Sequence, residues 1–361
     1  MKRTLSVWLA TLLVSGCVSP APRDEKESPK LAPVQVSELL KRAKPADELG
    51  IKLAGRSSLI GVTGINEVSL PQPVTVPLIG LPTTVSDELS MRYRVPCILA
   101  SVNGHEGRRV LLDSGSNRVL LGYSLARDLD LPLIAGLDPV SAHGIGGQGK
   151  VDAYWAILPR MTVGPLELRK LVALVSPDAE VLTYRRSFWG NMEVMLLGVN
   201  ALKGLSYLSI DYLRGEVTFC PQARYLPDAS AAFVTAAPLR WEGDLPVVDA
   251  ILERRYHASC VVDTGGDYGL FLPRALATEL DYWKPGWGAE QTGRGIAGAQ
   301  EGKGYLVHEV RVRDAIFKQV PARTQIEGPE PLGGRVLLGN YELRRYRVTF
   351  DFKNSVLWLE K

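Results

Sequence analysis

The sequence predicts an all-β protein made of two related lobes, and three features predict it. The chain of 361 residues contains 24 prolines and 35 glycines, which interrupt it too often for long helices or helical bundles. Short runs of apolar and β-branched residues lie between these breaks, as is typical of strands. The second half also repeats the landmarks of the first half. With 46% apolar residues, the chain has enough material for a sizeable core.

Composition excludes several classes of function. A formal net charge of +3, without a long basic run, is too small for a protein that binds nucleic acid. Four cysteines and four histidines, with no CxxC or HExxH motif, leave little material for a structural metal site. The function inferred below is expected to use no metal and no organic cofactor. Outside the N-terminus, no stretch approaches the roughly 18 apolar residues that a membrane-spanning helix needs.

The N-terminus carries the pattern of a secretory signal. Two basic residues precede an apolar stretch, Leu5–Val14, that is too short to span a bilayer. The stretch runs into Val14-Ser15-Gly16-Cys17, which resembles the cleavage site of bacterial lipoproteins. The resemblance implies that residues 1–16 are a lipoprotein signal peptide and that Cys17 receives a diacylglycerol. The alternative is an ordinary signal peptide followed by a chance cysteine.

The same resemblance gives an expectation for location. Val18, rather than an aspartate, follows the cysteine, which favours the outer membrane over the inner one. We therefore expect a bacterial envelope protein that is anchored by lipid and faces the periplasm. Residues 17–45 are predicted to be a tether, because their first part is rich in proline and charge and has little to bury.

Residues 46–91 are predicted to form an N-terminal arm that packs on the main body. The segment Pro73–Ile79 is extended and apolar, and two roles are open for it. It is either an inhibitory strand in or beside the active-site cleft or a structural strand that seals a sheet edge. We favour the structural strand, because extra strands commonly cover exposed edges.

An internal repeat organises the rest of the chain. Six landmarks recur in the same order, first at an offset of 150 or 151 residues and later at 141 or 140. The pairs are Val95–Val102 with Leu245–Leu252, Leu111–Gly115 with Val261–Gly265, Leu125–Leu129 with Leu276–Leu280, Gly144–Gly147 with Gly295–Gly298, Leu196–Gly198 with Leu337–Gly339, and Ile210–Tyr212 with Phe350–Phe352. The repeat predicts lobes at residues 92–235 and 236–361. The change of offset predicts an insertion loop around Tyr184–Trp189.

An Asp-Ser/Thr-Gly tripeptide ends an apolar run at equivalent positions of both halves, at Asp113-Ser114-Gly115 and Asp263-Thr264-Gly265. Each is followed by a glycine-rich cluster and then by an apolar pair and a glycine. Over residues 92–361 the chain thereby resembles the retropepsin-like aspartic proteases. The resemblance implies a pepsin-like bilobal fold with Asp113 and Asp263 as catalytic residues in the cleft. It also implies that Gly115 and Gly265 allow a close approach and that the Ser114 and Thr264 hydroxyls lock the pair.

Two carboxylates within hydrogen-bonding reach share one proton, so one can act as base on a water while the other polarises the scissile carbonyl. In the family, a hydroxyl three residues after the aspartate donates to its outer oxygen. Ser116 fits that role for Asp113, whereas Gly266 offers no donor to Asp263. We therefore expect Asp263 to hold the shared proton, with an activity optimum between weakly acidic and neutral pH. Gly266→Ser is expected to lower this optimum if the serine adopts the donor geometry.

The glycine clusters are predicted to be flaps, hairpin tips that close over an extended peptide. They are Gly144-Ile145-Gly146-Gly147 and Gly295-Ile296-Ala297-Gly298. Both also fit the dinucleotide pattern G-x-G-x-x-G, but the residues that follow each cluster are typical of a strand rather than of the helix that this pattern requires. For the second cluster, an ordinary glycine-rich hairpin is a further alternative.

The predicted function is a lipid-anchored periplasmic aspartic endopeptidase that acts on a protein or peptide substrate. Because one chain supplies both aspartates, we expect a catalytically competent monomer. One alternative is a non-catalytic lipoprotein of the same fold that binds peptides or envelope proteins, and another is a structural envelope lipoprotein. After lipidation of Cys17, the remaining cysteines, Cys97, Cys220 and Cys260, allow at most one disulfide.

Overall fold

The computed structural model describes residues 36–51, 67–69, 72–79, 95–142, 151–177, 182–186, 190–284, 288–295, 298–326, 330 and 334–361. The predicted signal peptide, Cys17 and most of the predicted tether lie outside these residues. Within the described ranges, no helix is long and apolar enough to cross a membrane. Strands dominate the described residues, so the all-β prediction is confirmed.

The first half contributes twelve strands and three short helices in its described part. The strands are β1 Glu67–Ser69, β2 Val74–Pro77, β3 Cys97–Val102, β4 His105–Asp113, β5 Val119–Gly122, β6 Val140–Ala142, β7 Val151–Val163, β8 Leu166–Ser176, β9 Thr183–Arg186, β10 Gly190–Gly198, β11 Tyr207–Asp211 and β12 Glu216–Cys220. The helices are α1 Val36–Leu40, α2 Tyr123–Asp128 and α3 Val199–Leu202. Nine of these strands form one sheet, in the order β1-β8-β5-β10-β4-β3-β7-β6 with β9 paired to β10.

The second half repeats this order in its described residues. Its strands are β13 Val234–Pro238, β14 Arg240–Glu242, β15 Leu245–Leu252, β16 Tyr256–Asp263, β17 Leu270–Phe271, β18 Ala289–Gly295, β19 Gly298–Val312, β20 Ala315–Gln325, β21 Val336–Gly339, β22 Arg347–Asp351 and β23 Val356–Glu360. Its helices are α4 Arg274–Glu279 and α5 Asn340–Leu343. Eight strands form its sheet, in the order β14-β15-β16-β21-β17-β20-β19-β18.

The two lobe sheets share an uncommon pairing that fixes the end of each aspartate strand. Strand β10 runs parallel to β4 and places Gly198 opposite Asp113. Strand β21 runs parallel to β16 and places Gly339 opposite Asp263. The neighbouring residues on all four strands are buried leucines and valines, as expected for strands that are covered on both faces. The duplication inferred from the offsets is therefore also a duplication of strand register.

A third sheet joins the halves. Its six strands, within the described residues, run in the order β13-β23-β22-β11-β12-β2. The central pair is β11 with β22, where Ser209 lies opposite Thr349 and accepts a hydrogen bond from its hydroxyl at 2.8 Å. Strand β2 of the first half forms one edge of this sheet, and β13 of the second half forms the other. The segment Val74–Pro77 is thus a structural strand, since it pairs antiparallel with β12.

The second edge strand matches the first in detail. Strand β2 ends at Pro77 and is followed by Leu78, and β13 ends at Pro238 and is followed by Leu239. Both leucines are 5% exposed. The Leu78 and Leu239 amides each donate to a turn carbonyl, of Gly215 and Ser355 respectively, at 2.8 Å. The internal repeat therefore begins at β2.

Two further predictions have structural outcomes. The predicted insertion around Tyr184–Trp189 is not a loop at Tyr184–Arg186, because these residues belong to strand β9, which pairs with β10 in a hairpin. Cys97, Cys220 and Cys260 are buried and free. Each pairs its backbone in a strand, and the thiols are part of the apolar packing.

Both predicted flaps sit on hairpin stems. Strand β6 pairs with β7, and the first cluster, Gly144–Gly147, lies between them and outside the described residues. Strands β18 and β19 pair up to Gly295 opposite Gly298, while Ile296 and Ala297 lie outside the described residues. A strand, rather than a helix, follows each cluster, which argues against a dinucleotide-binding turn.

Candidate active site

The two aspartates come together where β4 and β16 end. The Asp113 carboxyl lies within hydrogen-bonding reach of the Asp263 carboxyl. A Cβ atom on Gly115 would collide with the Asp263 carboxyl, and one on Gly265 would lie 2.5 Å from Asp113 Oδ1. Glycine at both positions is therefore a condition for the approach, because any side chain would force the loops apart.

The second residues of the tripeptides lock the loops by reciprocal hydrogen bonds. The Ser114 hydroxyl donates to the Val262 carbonyl at 2.6 Å and accepts from the Thr264 amide at 3.0 Å. The Thr264 hydroxyl donates to the Leu112 carbonyl at 2.7 Å and accepts from the Ser114 amide at 3.0 Å. Both side chains are buried, so these four bonds form away from competing water.

A glycine lies beneath each loop. A Cβ atom on Gly198 would be 2.7 Å from the Ser116 carbonyl oxygen, and one on Gly339 would collide with the Tyr268 backbone. The amides that follow donate upward, from Val199 to the Ser116 carbonyl at 2.9 Å and from Asn340 to the Gly266 carbonyl at 2.7 Å. Each loop is thus held from below by the strand that runs parallel to the aspartate strand.

Burial raises the pKa of both carboxyls, and the two differ in what opposes it. The pKa of Asp113 is raised well above its ordinary value, first by burial and then by the charge of Asp263, and two backbone amides oppose this rise. The pKa of Asp263 is also raised by burial, but four hydrogen bonds lower it, from Tyr268, Asp113, Gly266 and Gly265 in order of size. The additional donors at Asp263 therefore favour its ionised form and leave Asp113 as the favoured site of the shared proton.

This assignment reverses the expectation from the sequence. The Ser116 hydroxyl donates to the Arg118 carbonyl at 3.0 Å rather than to Asp113. Asp263, which was expected to lack a donor because of Gly266, receives a hydrogen bond on Oδ2 from the Tyr268 hydroxyl. The Gly266 amide donates to Asp263 Oδ1 at 3.1 Å. The premise that Asp263 lacks a donor is wrong, because Tyr268 supplies the hydroxyl that Gly266 does not, and this donor argues against Asp263 as the holder of the shared proton.

A comparison with known protein families finds a match in the segment that contains Asp113. Residues 98–201 match the family model for aspartyl proteases. The matched segment runs from β3 to α3 and includes the first tripeptide. Among solved structures, the chain is similar to an aspartic proteinase from Irpex lacteus, with 13% identity over 80% of this chain and 97% of that chain and a TM-score of 0.48. A search of curated proteins finds no match.

The match confirms the resemblance to aspartyl proteases that the tripeptides indicated, and it supports a protease. The matched segment lies within the first lobe and includes Asp113 but not Asp263. The second aspartate is connected to it by the duplicated strand register and by the reciprocal hydrogen bonds of Ser114 and Thr264.

Tyr268 is the site residue that the sequence reasoning missed. It lies five residues after Asp263 and outside the tripeptide, and no spacing rule marks it. One signal was available, since Gly266 lacks the hydroxyl that the resemblance led us to expect and so required a donor from elsewhere. A tyrosine two residues on, next to a second glycine, is the nearest side chain in the sequence that can supply it.

Proposed function

We propose that this chain is an aspartic endopeptidase that hydrolyses peptide bonds with a water activated by Asp113 and Asp263. The observation that carries the proposal is the pair of carboxyls held within hydrogen-bonding reach by two locked loops of one chain. The ionised carboxyl is the base and the protonated carboxyl is the acid that amide hydrolysis needs.

The charges assign the two roles. The Asp263 carboxylate accepts a proton from the water as the water oxygen attacks the peptide carbonyl carbon. Asp113 at the same time donates its proton to the carbonyl oxygen. The product of this step is a neutral tetrahedral diol, and no separated charge builds up in a site where Asp263 is only 6% exposed.

The second step reverses the roles and restores the enzyme. Asp263 gives its proton to the amide nitrogen, which leaves as an amine when the carbon–nitrogen bond breaks. Asp113 takes a proton from one diol hydroxyl as the new carboxylic acid forms. One water is consumed, and the two carboxyls return to their starting protonation states, so the chain needs no further acid or base.

Two parts of the proposal concern substrate and location. The hairpin stems β6–β7 and β18–β19 carry the glycine clusters, which we propose to close over an extended peptide. The basic N-terminus, short apolar stretch and Cys17 support attachment to a bacterial envelope membrane through lipid, facing the periplasm, with the outer membrane favoured.

A peptide library incubated with the full chain in detergent tests the proposal. We expect cleavage by the native chain, and losses on the order of 10⁴-fold for Asp113→Asn and for Asp263→Asn, because each removes the acid or the base. Asp249→Asn is the matched control, since the Asp249 side chain is 73% exposed and pairs with Arg240. Substantial cleavage by either dyad variant would refute the mechanism.

A further inference from the structure

The loop of Asp263 contains a hydroxyl donor that the loop of Asp113 lacks. Tyr268 is 9% exposed, and its hydroxyl donates to Asp263 Oδ2. Arg118 lies at the same distance in sequence from Asp113. Its guanidinium instead donates to the Asn117 carbonyl at 3.0 Å and lies 3.7 Å from Asp244. The repeat therefore diverges at this position, and only the second aspartate receives a hydroxyl from it.

Gly266 and Tyr268 depend on each other. A Cβ atom on Gly266 would lie 2.5 Å from Cε1 and from Cζ of the Tyr268 ring, and 2.8 Å from Asp263 Oδ2. These distances are too short for any side chain, because the ring already occupies the space beside the carboxyl. A hydroxyl-bearing residue at position 266 and a tyrosine at position 268 therefore exclude each other. We therefore expect no downward shift of the optimum in Gly266→Ser alone, because the ring prevents the serine from adopting the donor geometry.

The Arg323 guanidinium packs on the Tyr268 ring. The guanidinium lies 4.8 Å from the Tyr268 ring centroid and 5.6 Å from that of Phe271. Strand register pairs Phe271 with Arg323, as it pairs Leu120 with Leu174 in the first lobe. The first lobe thus has an apolar contact where the second has a cation on an aromatic ring. Arg323 Nε is buried and has no hydrogen-bond partner among the described residues, and the ring contacts help to hold the guanidinium in place.

The Tyr268 hydroxyl stays protonated, so it is the donor in its hydrogen bond with the ionised Asp263 carboxylate. Burial and the Asp263 charge raise the pKa of Tyr268 well above its ordinary value, and Arg323 opposes them. Two ionisable groups in the described part of the chain hydrogen-bond to the Asp263 carboxyl, Asp113 from β4 and Tyr268 from its own loop, and Arg323 from β20 contacts the Tyr268 ring. A hydrogen bond from a neutral phenol stabilises the ionised carboxyl over the protonated one.

We propose that Tyr268 is a positioning residue that keeps Asp263 as the ionised, base member of the pair, and that Arg323 holds its ring in place. The inference rests on the proposed function. It assigns the direction of proton transfer, with Asp263 as base and Asp113 as acid, to one residue outside the repeated tripeptides.

The pH profile of Tyr268→Phe in the full chain tests the proposal. Loss of the donor raises the pKa of Asp263, so the acid limb of kcat/KM should move to higher pH by about one unit. We expect kcat to fall more than KM changes, since Tyr268 acts on the base. Tyr225→Phe is the matched control, because its hydroxyl also donates to a buried carboxylate, that of Glu360 in the six-stranded sheet. An acid limb of Tyr268→Phe that coincides with the control would overturn the proposal.

A rescue experiment separates the donor from the ring. Tyr268→Val removes both, and Gly266→Ser in that background introduces a hydroxyl three residues after the aspartate. The ring then no longer blocks it, and the remaining 2.8 Å approach of the new Cβ to Asp263 Oδ2 requires a shift of the carboxyl. We expect the double variant to move the acid limb back toward that of the native chain, and Gly266→Ser alone to lose activity through collision with the ring. An acid limb in the double variant that is unchanged from Tyr268→Val would contradict donation as the role of Tyr268.

A second readout does not need activity. Because the hydroxyl donates to the ionised carboxyl, Tyr268→Phe should lower Tm more at about pH 7 than at about pH 3, where Asp263 is protonated. If the native chain cleaves nothing but this difference appears, the proposed function fails and the positioning of Asp263 stands. If cleavage occurs and the loss of Tm is equal at both pH values, the positioning fails and the proposed function stands.

Discussion

The two aspartate loops have the same frame and different electrostatics. In both lobes the aspartate ends a strand, the next residue donates across to the opposite loop, and a glycine from a parallel strand lies beneath. The loops differ at the third and fifth residues after the aspartate. In the first loop, the Ser116 hydroxyl and the Arg118 guanidinium donate to backbone carbonyls of the same loop. In the second loop, the Gly266 amide and the Tyr268 hydroxyl donate to the Asp263 carboxyl.

The difference shows how a duplicated site becomes directional. Reciprocal hydrogen bonds and close glycine contacts require both loops to keep the same geometry, so these residues repeat. A proton that stays on one carboxyl requires the two carboxyls to be unequal, and residues beside the carboxyls can make them so. We therefore expect variants of the repeated residues to affect both aspartates and variants of the divergent ones to affect mainly one.

The largest effect that tests the comparison comes from the repeated hydroxyls. Ser114→Ala and Thr264→Val each remove one donor and one acceptor from the buried lock, which leaves a carbonyl and an amide unpaired. We expect each to lower the free energy of unfolding by about 2–4 kcal/mol and peptidase activity by about 100-fold. Peptide cleavage and denaturant titration measure both.

The conservative exchanges provide the control. Ser114→Thr and Thr264→Ser keep the hydroxyl and should retain most activity and stability. If the two removals differ strongly from each other, the lock is not symmetric, and the comparison of the lobes fails at the residues that define it.

The next effect tests the matched edge strands. Leu78 follows β2 and Leu239 follows β13, and both are equally buried at the ends of the six-stranded sheet. We expect Leu78→Ala and Leu239→Ala each to lower the free energy of unfolding by about 3 kcal/mol and to leave activity of the folded protein unchanged. Higher activity in Leu78→Ala, without loss of stability, would mean that the N-terminal strand is inhibitory.

The smallest effect concerns stability against pH. The pKa of Asp113 is raised in the folded chain, so the folded state binds more protons than the unfolded one between the two pKa values. Stability from this group is present at low pH and is lost as pH rises through the raised pKa. We therefore expect Asp113→Asn to raise Tm near neutral pH and to change it little at about pH 3. A uniform decrease of Tm across this range would contradict the shared proton.

Much of the fold could be predicted from the sequence, because duplication leaves ordered landmarks. The tripeptides, Gly198 and Gly339 repeat since each contacts backbone of a neighbouring loop, and such contacts tolerate no substitution. The match of Pro77-Leu78 with Pro238-Leu239 was missed, since the connection to the next strand is longer in the first half and the offset changes to 161. A comparison of the halves at the offset of 150 residues therefore does not align these two strands.

The proton distribution could not be predicted from the sequence. The family resemblance led us to expect a donor at position 116 or 266, and it contains no information on a ring two residues further on. Whether the Ser116 hydroxyl points to a carboxyl or to the Arg118 carbonyl depends on the turn, which is set by tertiary contacts. Burial of Tyr268 between Gly266 and Arg323 depends on strand β20, more than fifty residues away in the chain.

The central claim is that one chain carries both halves of a working site, and mixing the two inactive variants tests it most directly. Asp113→Asn and Asp263→Asn are purified separately and combined in equal amounts, and peptide cleavage is measured over a dilution series beside the native chain. We expect native activity per molecule to be independent of dilution and the mixture to stay inactive, since each chain lacks one carboxyl of its own pair. Recovery of activity in the mixture would show that two chains share a site and would contradict the account.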